Sequence, residues 1–129
     1  MKPLLLDTSA LLHWLLAPER LGPEARARIE NGAARIVVSA LSTWEIAIKV
    51  GKANLRLPYS VERLTDHCVR EHRFELLPID HAHAAAVEQL PRHHNDPFDR
   101  LLVATAHCEG FAIATDDAWI RRYAVEVVW

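Results

Sequence analysis

The sequence lacks the features that would mark a membrane protein or a secreted one. Its apolar runs, such as Leu4–Leu6 and Ala10–Leu12, are far shorter than the roughly 20 residues that a membrane-spanning helix needs. No small-residue cleavage site of the secretory type follows the first residues. We therefore expect a cytoplasmic protein that does not span a membrane.

Cysteine is also scarce, and it has no pairing pattern. The two cysteines, Cys68 and Cys108, have no C-x-x-C partner, which argues against a disulfide framework or a zinc site. Both fall on apolar faces of predicted helices and are expected to be buried thiols. Trp14 and Trp44, which also lie on predicted helices, are expected to be buried as well.

The chain has no strong charge of either sign. Its formal net charge is −2, so contact with a nucleic acid would have to come from a local basic patch. With 129 residues, 50% of them hydrophobic and 25% charged, the composition is that of one folded domain spanning residues 1–129. The four glycines and seven prolines fall singly between periodic segments, with no linker or repeat.

Short β-branched and aliphatic runs alternate with segments of helical periodicity along the chain. Parallel strands need crossover connections, so this alternation predicts an α/β fold, a three-layer α/β/α sandwich with a mainly parallel sheet. The predicted strands are 4–6, 35–39, 74–77, 111–115 and 125–128, and the predicted helices are 9–16, 23–31, 42–51, 61–72, 80–88 and 97–109. Sites in such folds form at the carboxyl edge of the sheet.

Four acidic residues map to that edge. Asp7 closes the first strand and Asp117 lies just beyond the fourth, while Glu45 and Asp99 lie in the first turns of two helices. Like charges a few ångströms apart raise each other's pKa and destabilise a fold unless a cation lies among them. An all-oxygen ligand set favours Mg²⁺ or Mn²⁺ over Zn²⁺. Such an ion promotes phosphodiester hydrolysis by holding a phosphate oxygen and lowering the pKa of a bound water.

Helix capping explains each of these residues when it is considered alone. Ser42-x-x-Glu45 fits a capping box, and Asp96-x-x-Asp99 resembles one with Asp in both places. The other two carboxylates could cap the helices that follow them. Helix capping does not require the four carboxylates to lie close together, whereas a shared metal site does.

Four segments of the chain resemble the PIN-domain ribonucleases: Asp7–Leu11 (DTSAL), Ser42–Lys49 (STWEIAIK), His94–Leu102 (HNDPFDRLL) and Thr115–Asp117 (TDD). Within that superfamily the second and third segments look like the VapC toxins of prokaryotic toxin–antitoxin pairs. The resemblance covers nearly the whole chain in order and spacing. It implies a magnesium-dependent endoribonuclease that cuts cellular RNA, forms a homodimer and is held inactive by a VapB-type antitoxin.

The resemblance also implies roles for individual residues. It places Asp7, Glu45, Asp99 and Asp117 at the family's acidic metal-binding and catalytic positions. The family's hydroxyl groups, which orient carboxylates or water, match Thr8 or Ser9 and Thr115.

Several neighbours of these residues have more than one interpretation. Lys49 stands four residues after Glu45, so it forms an ion pair there or lies near the substrate phosphate. Arg100 could contact RNA, an acidic tail of the partner or a neighbouring carboxylate. His93 and His94 are expected to make a loop or substrate contact rather than to ligate metal.

Two further aspartates and two other functions belong with these alternatives. Asp96 is assigned mainly to capping, and Asp116 to a surface or secondary role. A phosphoacceptor receiver domain also gathers carboxylates around magnesium, but it needs a Lys after a late strand, which this sequence lacks. A catalytically inactive PIN-like binding module is the second alternative, and the complete acidic set disfavours it.

Overall fold

A computed structural model describes all residues 1–129, and it contains five strands and six α-helices. The strands are β1 (Leu4–Leu6), β2 (Ile36–Ser39), β3 (Glu75–Leu77), β4 (Ala112–Ala114) and β5 (Val127–Val128). The helices are α1 (Thr8–Leu16), α2 (Pro23–Asn31), α3 (Ala40–Gly51), α4 (Val61–Arg70), α5 (His81–Ala86) and α6 (Pro97–Glu109). Short 3₁₀ turns lie at Pro18–Arg20, Val87–Gln89 and Ile120–Arg122.

The five strands form one parallel sheet in the order β3-β2-β1-β4-β5. Strand β1 is central, with Leu5 aligned to Val37 on one side and to Ile113 on the other. Every connection between paired strands is therefore a crossover, as the alternation of strands and helices predicts. The predicted α/β class and the parallel sheet are confirmed.

Two apolar clusters cover the two faces of the sheet. Alternate residues of β1 point to opposite faces, so Leu4 and Leu6 belong to one cluster and Leu5 to the other. The first cluster packs against α1, α2 and α4, and the second against α6 and the turn around Ile120. This arrangement gives the three layers of the predicted sandwich. No helix is long and apolar enough to cross a bilayer.

The start of α3 differs from the prediction. The helix begins at Ala40, two residues before Ser42, because the Ser39 hydroxyl accepts the Leu41 N–H at 3.0 Å and caps it. Ser42 is buried inside the helix, so the Ser42-x-x-Glu45 capping box does not form. Glu45 consequently lies in the second turn of α3 rather than in the first.

Two predictions about burial are wrong, and two agree with the structure. Cys108 is exposed near the end of α6, and 57% of the Trp44 surface is accessible on α3. Cys68 is buried as expected, and Trp14 packs partly buried against the first apolar cluster. A helical position predicts a shared face, but it does not show whether another element covers that face.

Gly22, at the start of α2, packs directly against Trp129. A Cβ at this position would meet the Trp129 carbonyl carbon at 2.2 Å and its indole at 2.5 Å. The same contact includes a hydrogen bond from the Glu24 N–H to the Trp129 carbonyl oxygen at 3.0 Å. Backbone lies against backbone here, so a side chain at residue 22 has no room.

We expect Gly22→Ala to lower the free energy of unfolding by about 1–3 kcal/mol, the usual cost of overpacking. Gly51→Ala is the matched control, because nothing lies within 4 Å of a Cβ there and alanine favours the helix. Urea denaturation of both variants measures the difference. Equal stability of the two variants would contradict the packing described at residue 22.

Candidate functional site

A cleft of about 190 Å³ opens at the carboxyl edge of the sheet, between the starts of α1 and α6 and the middle of α3. The structure brings all four candidate carboxylates to this one cleft. Its lining is mostly polar and consists of Asp7, Thr8, Ser9, Leu41, Ser42, Glu45, Lys49, Asp96, Phe98, Asp99, Leu102 and Asp117. Of the proposed site residues, only Thr115 and Arg100 lie outside this lining.

Asp7 is the most buried of the four carboxylates. It follows the central strand β1, and its Oδ1 accepts the Ala10 N–H at 2.7 Å, so it also caps α1. Burial raises the pKa of Asp7 to about 6, against hydrogen bonds from the Thr115 side chain and the Ala10 backbone. The charges of Asp116 and Asp99 raise it further. Capping and site interpretations of Asp7 are therefore both compatible with its position.

Asp99 lies in the first turn of α6 and faces the same cleft. Burial is the largest cause that raises its pKa to about 6, followed by the charge of Asp96. A hydrogen bond with His94, whose Nε2 lies 3.2 Å from Asp99 Oδ2, opposes this shift. Asp96 accepts the N–H groups of Phe98 and Asp99 and is the N-cap of α6, as expected.

Glu45 is held by a hydroxyl group on another helix. The Thr8 Oγ1 lies 2.5 Å from Glu45 Oε1 and 3.1 Å from the Ser42 hydroxyl, which links α1 to α3. Lys49 Nζ lies 3.6 Å from Glu45 Oε2, one turn further along α3. Lys49 also lines the cleft, so the ion pair and a position near the substrate are both present in the structure.

Asp117 is positioned by a turn after β4. Its N–H donates to the Thr115 hydroxyl at 3.0 Å, and its Oδ1 accepts the Trp119 N–H at 2.7 Å. Thr115 is fully buried and does not line the cleft, and its hydroxyl contacts the Asp7 carboxylate and the Asp117 backbone N–H. Asp116 is exposed and does not line the cleft, although its charge acts on Asp7.

The donor set fits a hard divalent cation. The four candidate carboxylates, the helix-capping Asp96 and three hydroxyl side chains supply only oxygen, and Lys49 is the one basic side chain in the lining. Burial, with the charges of neighbouring carboxylates, raises the pKa of Asp7 and of Asp99 to about 6, so the ionised forms of both are disfavoured without a cation. Mg²⁺ and Mn²⁺ both prefer such oxygen ligands.

Arg100 is buried and does not line the cleft, so the structure gives no support to a direct contact with RNA there. Only 6% of this residue is exposed, and its recorded side-chain partners are carbonyl and hydroxyl oxygens. Its guanidinium donates instead to the Pro91 carbonyl at 2.8 Å and to the Tyr123 hydroxyl at 3.1 Å. Weaker contacts to the carbonyls of Val87 and Leu90 complete its surroundings.

A separate trio of Asp80, His83 and Glu109 brings its ligand atoms within 4.8 Å of one another. Both nitrogens of the buried His83 ring are already engaged, because Nδ1 accepts the Asp80 N–H and Nε2 lies 2.8 Å from Glu109. This trio ties the start of α5 to the end of α6. We assign it to structure rather than to metal binding.

Comparison with protein families identifies the chain. A family model described as PIN domain matches residues 4–126. The chain belongs to the PIN-domain family. The resemblance seen in the four sequence segments is thereby confirmed for the chain as a whole.

Individual PIN-domain relatives are similar to this chain in length as well as in fold. Ribonuclease VapC22 of Mycobacterium tuberculosis is 30% identical over 128 residues, which are 95% of this chain and 93% of that protein. A crystal structure of VapBC2 from Rickettsia felis, bound to a DNA fragment from the promoter, superposes with a TM-score of 0.73 at 14% identity, covering 96% of both chains. DNA-bound VapBC from Salmonella typhimurium gives a TM-score of 0.70 at 17% identity, covering 98% of this chain and 97% of that one.

Sequence analysis gave no role to Tyr123, which the structure places beside two of the residues that it did single out. Tyr123 lies in the turn before β5, and its hydroxyl contacts both Arg100 and His94. The residues next to Tyr123 in the sequence do not predict these contacts, since both partners come from an earlier part of the chain. For Arg100 the sequence does contain a signal. The helical periodicity of residues 97–109 places it on the face of the helix directed away from the cleft, which indicates that it is buried.

Proposed function

We propose that this PIN-domain protein is a divalent-metal-dependent endoribonuclease of the VapC kind, with Mg²⁺ as its ion and Mn²⁺ as a substitute. One observation carries the proposal: Asp7, Glu45, Asp99 and Asp117, which are widely separated in sequence, line one small cleft. The 30% identity to Ribonuclease VapC22 over nearly the full length supports the choice of RNA as substrate.

In this proposal the four carboxylates hold the ion, and their neighbours hold the carboxylates. Bound Mg²⁺ would supply charge stabilisation at the phosphate and a lowered pKa for a coordinated water. Thr8 orients Glu45 and Thr115 orients Asp7 through hydrogen bonds to their carboxylates, and Thr115 fixes the backbone of Asp117. The oxygen of the attacking water would bond to phosphorus as the bond from phosphorus to the 3′-oxygen breaks. A carboxylate of the cluster would accept the proton of the water, and the leaving 3′-oxygen would take a proton from solvent, giving a 5′-phosphate and a 3′-hydroxyl.

Lys49 and Ser9 are proposed to face the RNA. Both line the cleft and both are exposed, so they can contact a phosphate that enters from solvent. The chain as a whole carries a net charge of −2, and Lys49 therefore supplies local positive charge that the composition does not.

We propose further that the protein is cytoplasmic, that it forms a homodimer and that a VapB-type antitoxin binds and inhibits it. The support for the antitoxin is the similarity in fold to the VapC chains of VapBC complexes from Rickettsia felis and Salmonella typhimurium. An apolar groove of about 450 Å³ beside Trp44, Leu76 and Leu77 gives α3 and the edge strand β3 a surface suited to protein contact.

The two alternative functions differ from this proposal in specific residues. A receiver domain requires a lysine after a late strand, whereas β4 is followed by Thr115, Asp116 and Asp117. An inactive binding module would tolerate loss of the acidic set, and all four carboxylates are present here. The receiver interpretation is therefore set aside, and the inactive module is tested by the assay that follows.

We expect the purified protein to cut single-stranded RNA with Mg²⁺ or Mn²⁺ and to be inactive in the presence of a chelator. Total cellular RNA serves as the first substrate, and sequencing of the new ends reports the cleavage site and the 5′-phosphate. Restoring Mg²⁺ after chelation should restore cleavage. Equal cleavage with and without chelator would contradict the metal dependence, and absence of cleavage would favour the binding module.

A further inference from the structure

A chain of hydrogen bonds runs from the buried Arg100 to the edge of the cleft. The Arg100 Nη1 donates to the Tyr123 hydroxyl at 3.1 Å, and this hydroxyl lies 2.9 Å from His94 Nδ1. His94 Nε2 lies 3.2 Å from Asp99 Oδ2. Arg100, Tyr123 and His94 are called the relay below. None of its members lines the cleft, and Asp99 is the lining residue at which it ends.

The direction of each hydrogen bond follows from the chemistry of the groups. Arg100 can only donate, so the Tyr123 oxygen accepts from it and keeps its own proton to donate. The Asp99 carboxylate accepts, so His94 presents Nε2–H to it and the neutral ring has a lone pair at Nδ1. Tyr123 donates to that lone pair. The three bonds therefore have one consistent order, from Arg100 through Tyr123 and His94 to Asp99.

The relay is shielded from solvent, because only 4% of Tyr123 and 6% of Arg100 are exposed.

Packing holds the relay rigid. The His94 ring stacks on Trp119 with an angle of 5° between the ring planes and 5.7 Å between centroids. His93 lies edge-on against Tyr123 at 4.8 Å. The Arg100 guanidinium is fixed by backbone carbonyls, including Pro91 at 2.8 Å. A rotation of the imidazole would break these contacts together.

We propose that Arg100, Tyr123 and His94 are positioning residues that fix one oxygen of Asp99, so that its other oxygen is aimed into the cleft for the metal ion. This inference rests on the proposed metal site. Partners that hydrogen-bond a metal-binding carboxylate fix its orientation, and their loss costs about 10–100-fold in metal affinity or activity. The relay gives Arg100, His93 and His94 roles that need no contact with RNA.

The first test reads the tautomer of His94 without metal. Proton–nitrogen correlation spectra of the imidazole rings, with His94→Gln used for assignment, distinguish a protonated Nε2 from a protonated Nδ1. We expect Nε2–H in the wild-type protein and a mixture of forms in Tyr123→Phe. Nδ1–H in the wild type, or the same tautomer population in both proteins, would overturn the relay.

The second test measures Mn²⁺ affinity by calorimetry. Tyr123→Phe keeps the ring and removes the hydroxyl, and we expect it to weaken Mn²⁺ binding about 10–100-fold. Ile120→Val is the matched control, because Ile120 is buried in the same apolar cluster as Tyr123 and has no hydroxyl group. Tyr123→Phe with the Mn²⁺ affinity of Ile120→Val would show that the hydroxyl serves stability alone.

A double-mutant cycle separates positioning from general loosening of the fold. In a His94→Ala background, Tyr123→Phe should have no further effect on Mn²⁺ affinity, since the relay is already interrupted. His94→Gln should retain part of the affinity, because its amide can still donate to Asp99. Independent, additive effects of the two substitutions would overturn the relay.

Failure of the proposed function gives a different result. A wild-type protein that binds no Mn²⁺ at tens of millimolar would overturn the metal site, and with it the positioning role. A wild-type protein that binds Mn²⁺ and loses it in Asp7→Asn, but not in Tyr123→Phe, would overturn the relay alone.

Discussion

Asp99→Asn is expected to lower RNA cleavage on the order of a thousandfold and to leave the fold intact. Asp99 faces the cleft, and its neutral analogue keeps the size and the hydrogen bond to His94 while losing the negative charge. Loss of a group that stabilises charge directly at the reacting centre costs about 10²–10³ in rate. Loss of a metal ligand adds weaker binding of the ion to that cost.

The same substitution is expected to keep or raise the melting temperature. Burial and the charge of Asp96 raise the pKa of Asp99 to about 6, so its ionised form is disfavoured in the metal-free protein at neutral pH. Asparagine removes that unfavourable charge. The expected combination, lost activity with unchanged or higher stability, is typical of a functional residue rather than a structural one.

Asp116→Asn is the matched control for this experiment. Asp116 is exposed, directly follows Thr115 and does not line the cleft. Its replacement should change the rate of cleavage by no more than a few-fold. Magnesium-dependent cleavage that survives in Asp99→Asn, measured on a labelled RNA with purified protein, would contradict the assignment of the site.

Mn²⁺ or Mg²⁺ is expected to raise the melting temperature by about 10 °C at pH 7.5 and by almost nothing at pH 5. An ion at 100 times its dissociation constant stabilises the folded state by about 2.7 kcal/mol. For a domain of this size each kcal/mol shifts the melting temperature by about 3–4 °C. Protonated carboxyl groups do not bind the ion, so the shift disappears at low pH.

The pH range of this effect follows from the two raised pKa values. Burial raises the pKa of Asp7 from 3.8 to about 6, and the same cause raises that of Asp99 to about 6. Between the ordinary aspartate pKa of 3.8 and the raised pKa of about 6, the folded protein binds more protons than the unfolded chain does. The free energy of unfolding of the metal-free protein therefore falls as pH rises from about 4 to about 6.

For Asp7, which is nearly fully buried, this loss amounts to about 2–3 kcal/mol. Asp99 is more exposed and contributes less because solvent screens it. Bound metal should restore the loss above pH 6. Scanning fluorimetry across pH 4.5–8, with KCl at equal ionic strength as control, measures both effects. An equal shift at pH 5 and pH 7.5, or an equal shift with KCl, would contradict a cation bound by these carboxylates.

The sequence was sufficient to predict the layers of the fold and the edge that carries the site. Strand and helix periods are local properties, and the rule that parallel strands end at one edge brings Asp7 and Asp117 together without any three-dimensional information. Pro23 and Gly32 predict the first residue and the end of a helix, and the observed α2 spans Pro23–Asn31. Gly32 has a left-handed φ of 70°, a conformation that favours glycine.

The structure differs from the sequence-based prediction in two other respects. One is which of two possible residues caps a helix, and the other is which helix residues are exposed to solvent. Ser39 and Ser42 are both acceptable helix caps, and the end of strand β2 decides in favour of Ser39. Trp44 and Cys108 lie on helices whose outer faces no other element covers. Such coverage depends on the packing of the whole chain, which a single sequence does not specify.

The contacts around Asp99 could be predicted least. His94 and Tyr123 are 29 residues apart in sequence, and Arg100 and Tyr123 are 23 apart. Each residue taken alone has an ordinary explanation as a loop, surface or core residue. Only the folded chain brings the three side chains into one line.

The parallel topology also determines when the acidic cleft can exist during synthesis. Asp7 is made early and Asp117 late, with more than a hundred residues between them. At about 5–20 residues per second, a ribosome needs roughly 5–20 s to pass from one to the other. Until β4 has left the exit tunnel and paired with β1, the nascent chain lacks one of the four carboxylates of the proposed metal site. The messenger RNA being translated is therefore not exposed to a finished nuclease.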